Sequence, residues 1–266
     1  MNTTAAARTA EPAEIYDRSF VPALFARWGP VVVEAARISP GDRVLDVACG
    51  TGALTLAAAE RAGAAGRVTG LDPNPAMLDV AKAKPVAIEW HADRAEALPF
   101  EDAAFDAVVS QFGMMFFDDP PRAFDEMRRV LAPRGRLAVA VFDAIETAPG
   151  YDALAGLLDR LFSREIGDAM RAPFVLGDAE RLRAIAATAF PDAEVSRHEG
   201  QVRFPSIRNL VETEHSCIWT LGGFIDDDQA ASLLGAAERD LGPFVQPDGS
   251  VAFAMPALIV TATRHA

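Results

Sequence analysis

The chain has 266 residues, half of them hydrophobic, and a formal net charge of −13 at pH 7. That length can bury a substantial core, as one large domain or one domain with a cap. The acidic balance offers no basic face for a polyanion, so a nucleic-acid partner is not expected.

The opening residues MNTTAAARTA lack the apolar core of a signal peptide. No apolar run approaches the roughly 18 to 20 residues needed to span a bilayer. The expected location is the cytoplasm, with no membrane insertion. Cys49 and Cys217 make no disulfide framework and read as reduced thiols.

In chain order, residues 15–37 predict two short helices broken at Gly29 and Pro30. RVLDVA (43–48) predicts the first strand, and ALTLAAAERAG a helix ending at Gly63. GRVTGLD brings a second strand to Asp72, after which Pro73 and Pro75 open a helix through Met77. VAIEW (86–90) and FDAVVS (105–110) read as strands three and four. PPRAFDEMRRVLAPRG reads as a helix stopped by Pro133 and Gly135, and RLAVAVF as a fifth strand ending at Phe142. Strands alternating with helices indicate a doubly wound, mostly parallel α/β sheet. Beyond it, residues 146–190 and 206–241 look helical and form candidate cap segments. EVSRHEGQVRF (194–204) and SVAFAMPALIVTATR (250–264) each predict a strand, together suggesting an antiparallel pair at the sheet edge.

The turn VLDVACGTG, residues 44–52, carries the most chemistry. A strand running into a glycine turn and a helix aims backbone N–H groups at its ligand, which usually suits a phosphate. Asp46, planted in the turn, would repel one. A zwitterionic amino-acid end, with an ammonium for Asp46 and a carboxylate for the N–H groups, suits both features, and S-adenosylmethionine is the common cofactor that has it. A nicotinamide or flavin site fits poorly, because the G-x-G-x-x-G/A fingerprint needs a small last residue and Thr55 stands there.

VLDVACGTG, GLDPNPAML, AEALPFEDAAFDAVVSQFGMMFF and DEMRRVLAPRGRLAVAVF, in that order and spacing, resemble the class I S-adenosylmethionine-dependent methyltransferases. The similarity is to the branch that includes the ubiquinone and menaquinone C-methyltransferases. It is close over about residues 43–143, and YDRSFVPALFARW and the C-terminal strands are similar as well. It implies a Rossmann-like, seven-stranded, mostly parallel sheet with an antiparallel edge strand and a helical cap. It further implies one methyltransferase domain over 1–266, an N-terminal helical lid over 1–38, S-adenosyl-L-methionine as cofactor and S-adenosyl-L-homocysteine as product.

Each expected cofactor residue has a physical role and a plainer alternative. Asp46 would meet the methionine ammonium or simply cap a helix. Gly50 and Gly52, with Ala48 and Thr51 beside them, let the backbone approach a ligand. Asp72, before Pro73 and twenty residues past Gly52, would accept from ribose hydroxyls or belong to a turn. Met77 would pack on adenine or in the core. In relatives an acid or amide precedes the ALPF proline by five positions; here Arg94 stands there, so the adenine amino contact falls to Asp93, Arg94 or the Ala95 backbone. The resemblance implies that Ser110 and Gln111 flank the sulfonium or methionine portion, and that Tyr16 of the lid reaches the methionine carboxylate.

The acceptor side is thinner. His215, with Glu212 and Glu214 behind it, is the first candidate base, against an ordinary helical residue. His91, His198 and His265 lack metal-ligand spacing, so no catalytic metal is expected. Phe25, Trp28, Met114, Met115, Trp219 and Phe224 are candidate pocket residues for a planar or lipophilic acceptor, and packing competes for the run Met114 to Phe117. The expected partner is a small-molecule methyl acceptor, of the specialised-metabolite or quinone-like kind. The methylated atom, the oligomeric state (a homodimer included) and a use of the cofactor other than methyl transfer stay open.

Overall fold

The computed structural model describes residues 12–217 and 221–265. The chain divides into two compact units. One comprises Phe25–Val141, Asp178–His198 and Leu258–Ala266; the other comprises Met1–Leu24, Phe142–Gly177 and Glu199–Ala257. The chain therefore passes between them five times, after Leu24, Val141, Gly177, His198 and Ala257.

The first unit is built on β1 (Arg43–Val47), β2 (Arg67–Leu71), β3 (Glu89–His91), β4 (Phe105–Gln111), β5 (Leu131–Phe142), β6 (Glu194–His198) and β9 (Ala257–Thr263), in the order β3-β2-β1-β4-β5-β9-β6. Val44, Leu45, Asp46 and Val47 are all buried, as a parallel strand covered on both faces requires. Asp46 pairs with Gly70 on one side and Val109 on the other, both in parallel register. The strand order reverses between β1 and β4, and ligands of open α/β sheets bind beyond the carboxyl ends at such a point.

β9 runs antiparallel to β5. The Arg134 and Arg264 N–H groups bond across the start of β5 to Arg264 O and Gly135 O, while Asp143 N–H reaches Pro256 O at the far end. The antiparallel strand thus lies one place in from the edge, with β6 outermost.

The second unit holds the helices Pro149–Leu161, Arg164–Arg171, Ile207–Ser216 and Asp227–Asp240, with β7 (Gln201–Phe204) paired antiparallel to β8 (Val251–Ala254). Tyr151 anchors its core, with ring centroids 5.9 Å from Phe174 and 5.4 Å from Phe253. Gly150 admits the Phe253 ring, which would stand 2.3 Å from a Cβ at that position.

Several expected boundaries move, each for a local reason. The N-terminal helices part at Ala26 and Arg27. Gly29 and Pro30 instead sit in the first turn of Trp28–Ala35, where a proline N–H has no partner to lose. The third strand starts at Glu89, because residues 84–88 fold into turns with Val86 N–H on Lys84 O. The helix before β5 ends at Val130, three residues short of Pro133. Leu131 is already extended and pairs with Phe105, after which the register jumps to Ala107–Arg136 over a bulge carrying Arg134 at φ 68°. Residues 194–204 form two strands in different sheets, β6 and β7, parted by Glu199 and Gly200. Residues 250–264 likewise split into β8 and β9 at Met255 and Pro256, whose missing N–H cannot continue a ladder.

Candidate functional site

The carboxyl ends of β1, β2 and β4 meet in one crevice of the first unit. Ala48 (φ 59°), Gly50 (φ 54°) and Gly52 (φ 92°) all take left-handed backbone, which turns the chain from β1 into the helix Ala53–Ala62. Gly52 N–H bonds to Cys49 O, and Cys49 N–H to Leu71 O, so the turn is tied to β2. Gly113 closes the other side: a Cβ there would stand 2.4 Å from Ala48 Cβ.

Asp46 is fully buried, and its Oδ2 accepts from Thr55 Oγ1 at 2.6 Å. Burial pushes its carboxyl up to about 7; the Thr55 bond works against that rise and the nearby Asp72 adds to it. Asp72 ends β2 with Oδ2 accepting from Gly50 N–H and Oδ1 from Asn74 N–H, both at 2.8 Å. Burial raises its carboxyl too, against those two bonds. Each carboxylate oxygen has capacity for a second donor, so two hydroxyls can be received there.

Four buried side-chain atoms around this turn have no hydrogen-bond partner: Asp46 Oδ1, Thr51 Oγ1, Ser110 Oγ and Gln111 Oε1. Orphaned buried polar groups are costly and rare, and four gathered at a sheet's switch point mark atoms that a ligand satisfies. The set holds acceptors, including one carboxylate, beside a helix N-terminus whose cap residue Gly52 supplies no side chain. A cationic amine and an anion therefore fit side by side, and a diphosphate does not.

Other expected residues fall where local bonding takes them. Arg94 is drawn off into ion pairs with Asp118 and, at 3.6 Å, Glu96. The guanidinium lies on an exposed edge, paired with these two carboxylates. Asp93 accepts from Arg94 N–H at 2.9 Å, and Ala95 is buried. Pro73 follows Asp72, and Met77 is buried in the helix Pro75–Lys82. Trp28 and Met114 are buried in the first unit, at 1% and 0% exposure. Phe25 is half-buried against Phe112, ring centroids 5.8 Å apart, while Met115 is half-buried and Phe116 exposed.

Tyr16, Phe224 and His215 belong to the second unit. Tyr16 packs on Phe20 at 5.9 Å, and Phe224 is exposed. Trp219 lies outside the described residues. His215 Nε2 meets Asp227 Oδ1 at 3.0 Å, and its Nδ1 is buried without a partner. Glu214, one residue back, is buried beside the Tyr151 phenol, which burial, and then the Glu214 carboxylate, push well above the usual range. Among the described residues no three His, Cys, Asp or Glu side chains gather to hold a metal ion. Nor does any helix among them have the length and apolarity to cross a membrane.

Three site residues carried no motif signal. Thr55 holds Asp46, and Lys84 Nζ donates to Thr51 O at 2.7 Å. The Trp90 ring fills the space that side chains at Gly52 and Gly70 would need, at 2.8 and 2.5 Å from a Cβ. Only the fold brings Lys84 and Trp90 to the turn.

The fold is the Rossmann-like fold of solved methyltransferases. Residues 45–139 match the family model of the methyltransferase domain. The sequence is also similar to named quinone methyltransferases. A demethylmenaquinone methyltransferase of Renibacterium salmoninarum is 44% identical over 116 residues, 44% of this chain and 48% of that protein. A ubiquinone/menaquinone biosynthesis C-methyltransferase of Bordetella avium is 41% identical over 135 residues, 47% and 51% of the two chains. This chain thus spans about half the length of the curated relatives it matches. In fold it is similar to the YcgJ protein of Bacillus subtilis (TM-score 0.58, 18% identity, 90% of this chain and 99% of that one). A phosphoethanolamine N-methyltransferase 2 of Haemonchus contortus, solved with S-adenosyl-L-methionine, is similar at TM-score 0.60 and 19% identity, over 99% of this chain and 58% of that one.

The Asp46 carboxyl gives the site a pH signature. An ammonium is held by the anion, so affinity for S-adenosylhomocysteine is expected to rise between about pH 6 and pH 8 as Asp46 loses its proton. Binding at pH 6.5 should release a proton, detected by calorimetry in buffers of different ionisation enthalpy. A flat affinity with no proton release would contradict the contact.

Proposed function

We propose that the chain transfers the methyl group of S-adenosylmethionine to an oxygen, nitrogen or carbon nucleophile of a small organic acceptor, a quinone-like compound or specialised metabolite. The carrying observation is the ring of buried, partnerless polar atoms around Asp46 at the β1–β4 switch point. The quinone-directed names of the relatives support the acceptor class.

Bound there, the cofactor supplies a methyl group already activated on a sulfonium. The chain's contribution is alignment and the exclusion of water. Asp46 holds positive charge, Asp72 fixes a pair of hydroxyls, and the glycine turn admits the backbone to close contact. His215 is the proton acceptor in this reading. Asp227 holds Nε2, which leaves the buried Nδ1 to take a proton from an acceptor that must lose one. We assign acceptor recognition to the lid (1–38) and cap segments (146–190 and 206–241), as elaborations of a single methyltransferase domain. The acidic balance argues for a small molecule over nucleic acid, and the enzyme is read as cytoplasmic.

Calorimetry with S-adenosylmethionine, S-adenosylhomocysteine and NAD tests the cofactor, and only the first two should bind. A panel of hydroquinones, phenols and amines scored for S-adenosylhomocysteine then tests the chemistry. Binding without turnover of any acceptor would favour a binding protein. Asp72→Ala should weaken S-adenosylhomocysteine binding by roughly 1 to 3 kcal/mol, and unchanged affinity would remove Asp72 from the site.

A further inference from the structure

Trp28 presents an unexplained donor beside this site. Its side chain is 99% buried, yet Nε1 has no hydrogen-bond partner. An indole N–H can only donate, so the missing group is an acceptor.

The surroundings locate it. The Trp28 ring packs edge-on against Phe112, centroids 5.7 Å apart and planes at 81°, immediately after Ser110 and Gln111 of β4. The next residue, Gly29, lies against the first turns of the helix Ala53–Ala62: a Cβ there would be 3.4 Å from Ala53 O, 3.8 Å from Leu54 Cα and 3.0 Å from Ala57 Cβ. The Trp28–Gly29 segment thus touches both the end of β4, through the indole on Phe112, and the start of that helix, through Gly29. Gln111 Nε2 donates to Phe25 O at 3.1 Å and ties the approach to Trp28 onto β4.

The partnerless atoms of the first unit sort by sign. Asp46 Oδ1 and Gln111 Oε1 accept, whereas Trp28 Nε1 donates and the hydroxyls of Thr51 and Ser110 do either. We propose that the Trp28 indole N–H donates to the carboxylate of the cofactor's amino-acid end, as a positioning group beside the N-terminus of Ala53–Ala62. This rests on the S-adenosylmethionine reading above, and it gives Trp28 a place in the cofactor site instead of the acceptor pocket.

Trp28→Phe keeps the ring and removes the N–H. It is expected to weaken S-adenosylhomocysteine about 5- to 20-fold, while leaving 5′-methylthioadenosine, which has the same nucleoside and no amino-acid end, within about twofold. In the unaltered protein, labelled at indole nitrogen, the Trp28 N–H resonance should move downfield on adding S-adenosylhomocysteine and stay in place with 5′-methylthioadenosine. Equal affinity of variant and parent for S-adenosylhomocysteine overturns the proposal. So does an equal loss for both ligands, which would make the ring merely structural, or an unmoved resonance. If the folded parent binds no S-adenosylhomocysteine at all, it is the cofactor reading that fails.

Discussion

Asp46→Asn is expected to lower affinity for S-adenosylhomocysteine about 10- to 100-fold, the range for one charge-assisted hydrogen bond, and to raise the melting temperature of the ligand-free protein at pH 8. The two effects share one origin. The Asp46 anion is wholly buried, with one oxygen on Thr55 and the other on nothing. Its carboxyl stands at about 7 in the fold, against 3.8 ordinarily. A raised carboxyl favours the folded state while protonated, so the ligand-free protein loses stability as pH climbs from about 4 through 7. At about 1.4 kcal/mol per pKa unit, the loss reaches at most about 4 kcal/mol. Asparagine keeps an acceptor for Thr55 and carries no charge, which removes that loss and the ammonium contact together. Scanning calorimetry at pH 5 and pH 8 should show the variant's advantage growing between the two, from less than half of its full size at pH 5. A variant that melts lower at pH 8, or binds as tightly as the parent, would refute this account of the acid.

Gly52→Ala should cost roughly 1 to 3 kcal/mol of stability and tenfold or more in S-adenosylhomocysteine affinity. Two independent effects act there. The backbone stands at φ 92°, which an L side chain rarely adopts, and a Cβ would come 2.8 Å from Trp90 Cη2. Adding Trp90→Leu relieves the second effect and leaves the first, so the double variant should recover part of the lost stability. A full return would assign the glycine to ring clearance alone. No return would show that backbone conformation dominates.

The sheet was legible because its strands are short apolar runs set between helical periods, and β1, β2 and β4 begin within a residue of where the pattern puts them. The site's acids were legible for a related reason: Asp46 and Asp72 stand at strand ends, where sheet topology makes the crevice. What escaped depends on contacts remote in sequence. Nothing near Arg94 announces that Asp118 will draw it away, and nothing near Trp28 marks it as a core residue against Phe112. Residues 194–204 and 250–264 alternate as continuous strands, and only the partners reveal that each divides between two sheets. Lys84 and Trp90 reach the turn through tertiary folding, so no local pattern flags them, whereas Thr55 stands just past the turn and only its bond to Asp46 was unmarked.

The five passages of the chain between its units bear on how such a protein can be re-engineered or can diverge. No single pair of cuts frees either unit. The stretch 45–139 taken alone would lack β6 and β9 and leave β5 as a bare edge inviting association. Grafting a new recognition module is therefore a poor route to a new acceptor. Change is expected to come by substitution within an interwoven chain, with the methyl-donor crevice inherited whole.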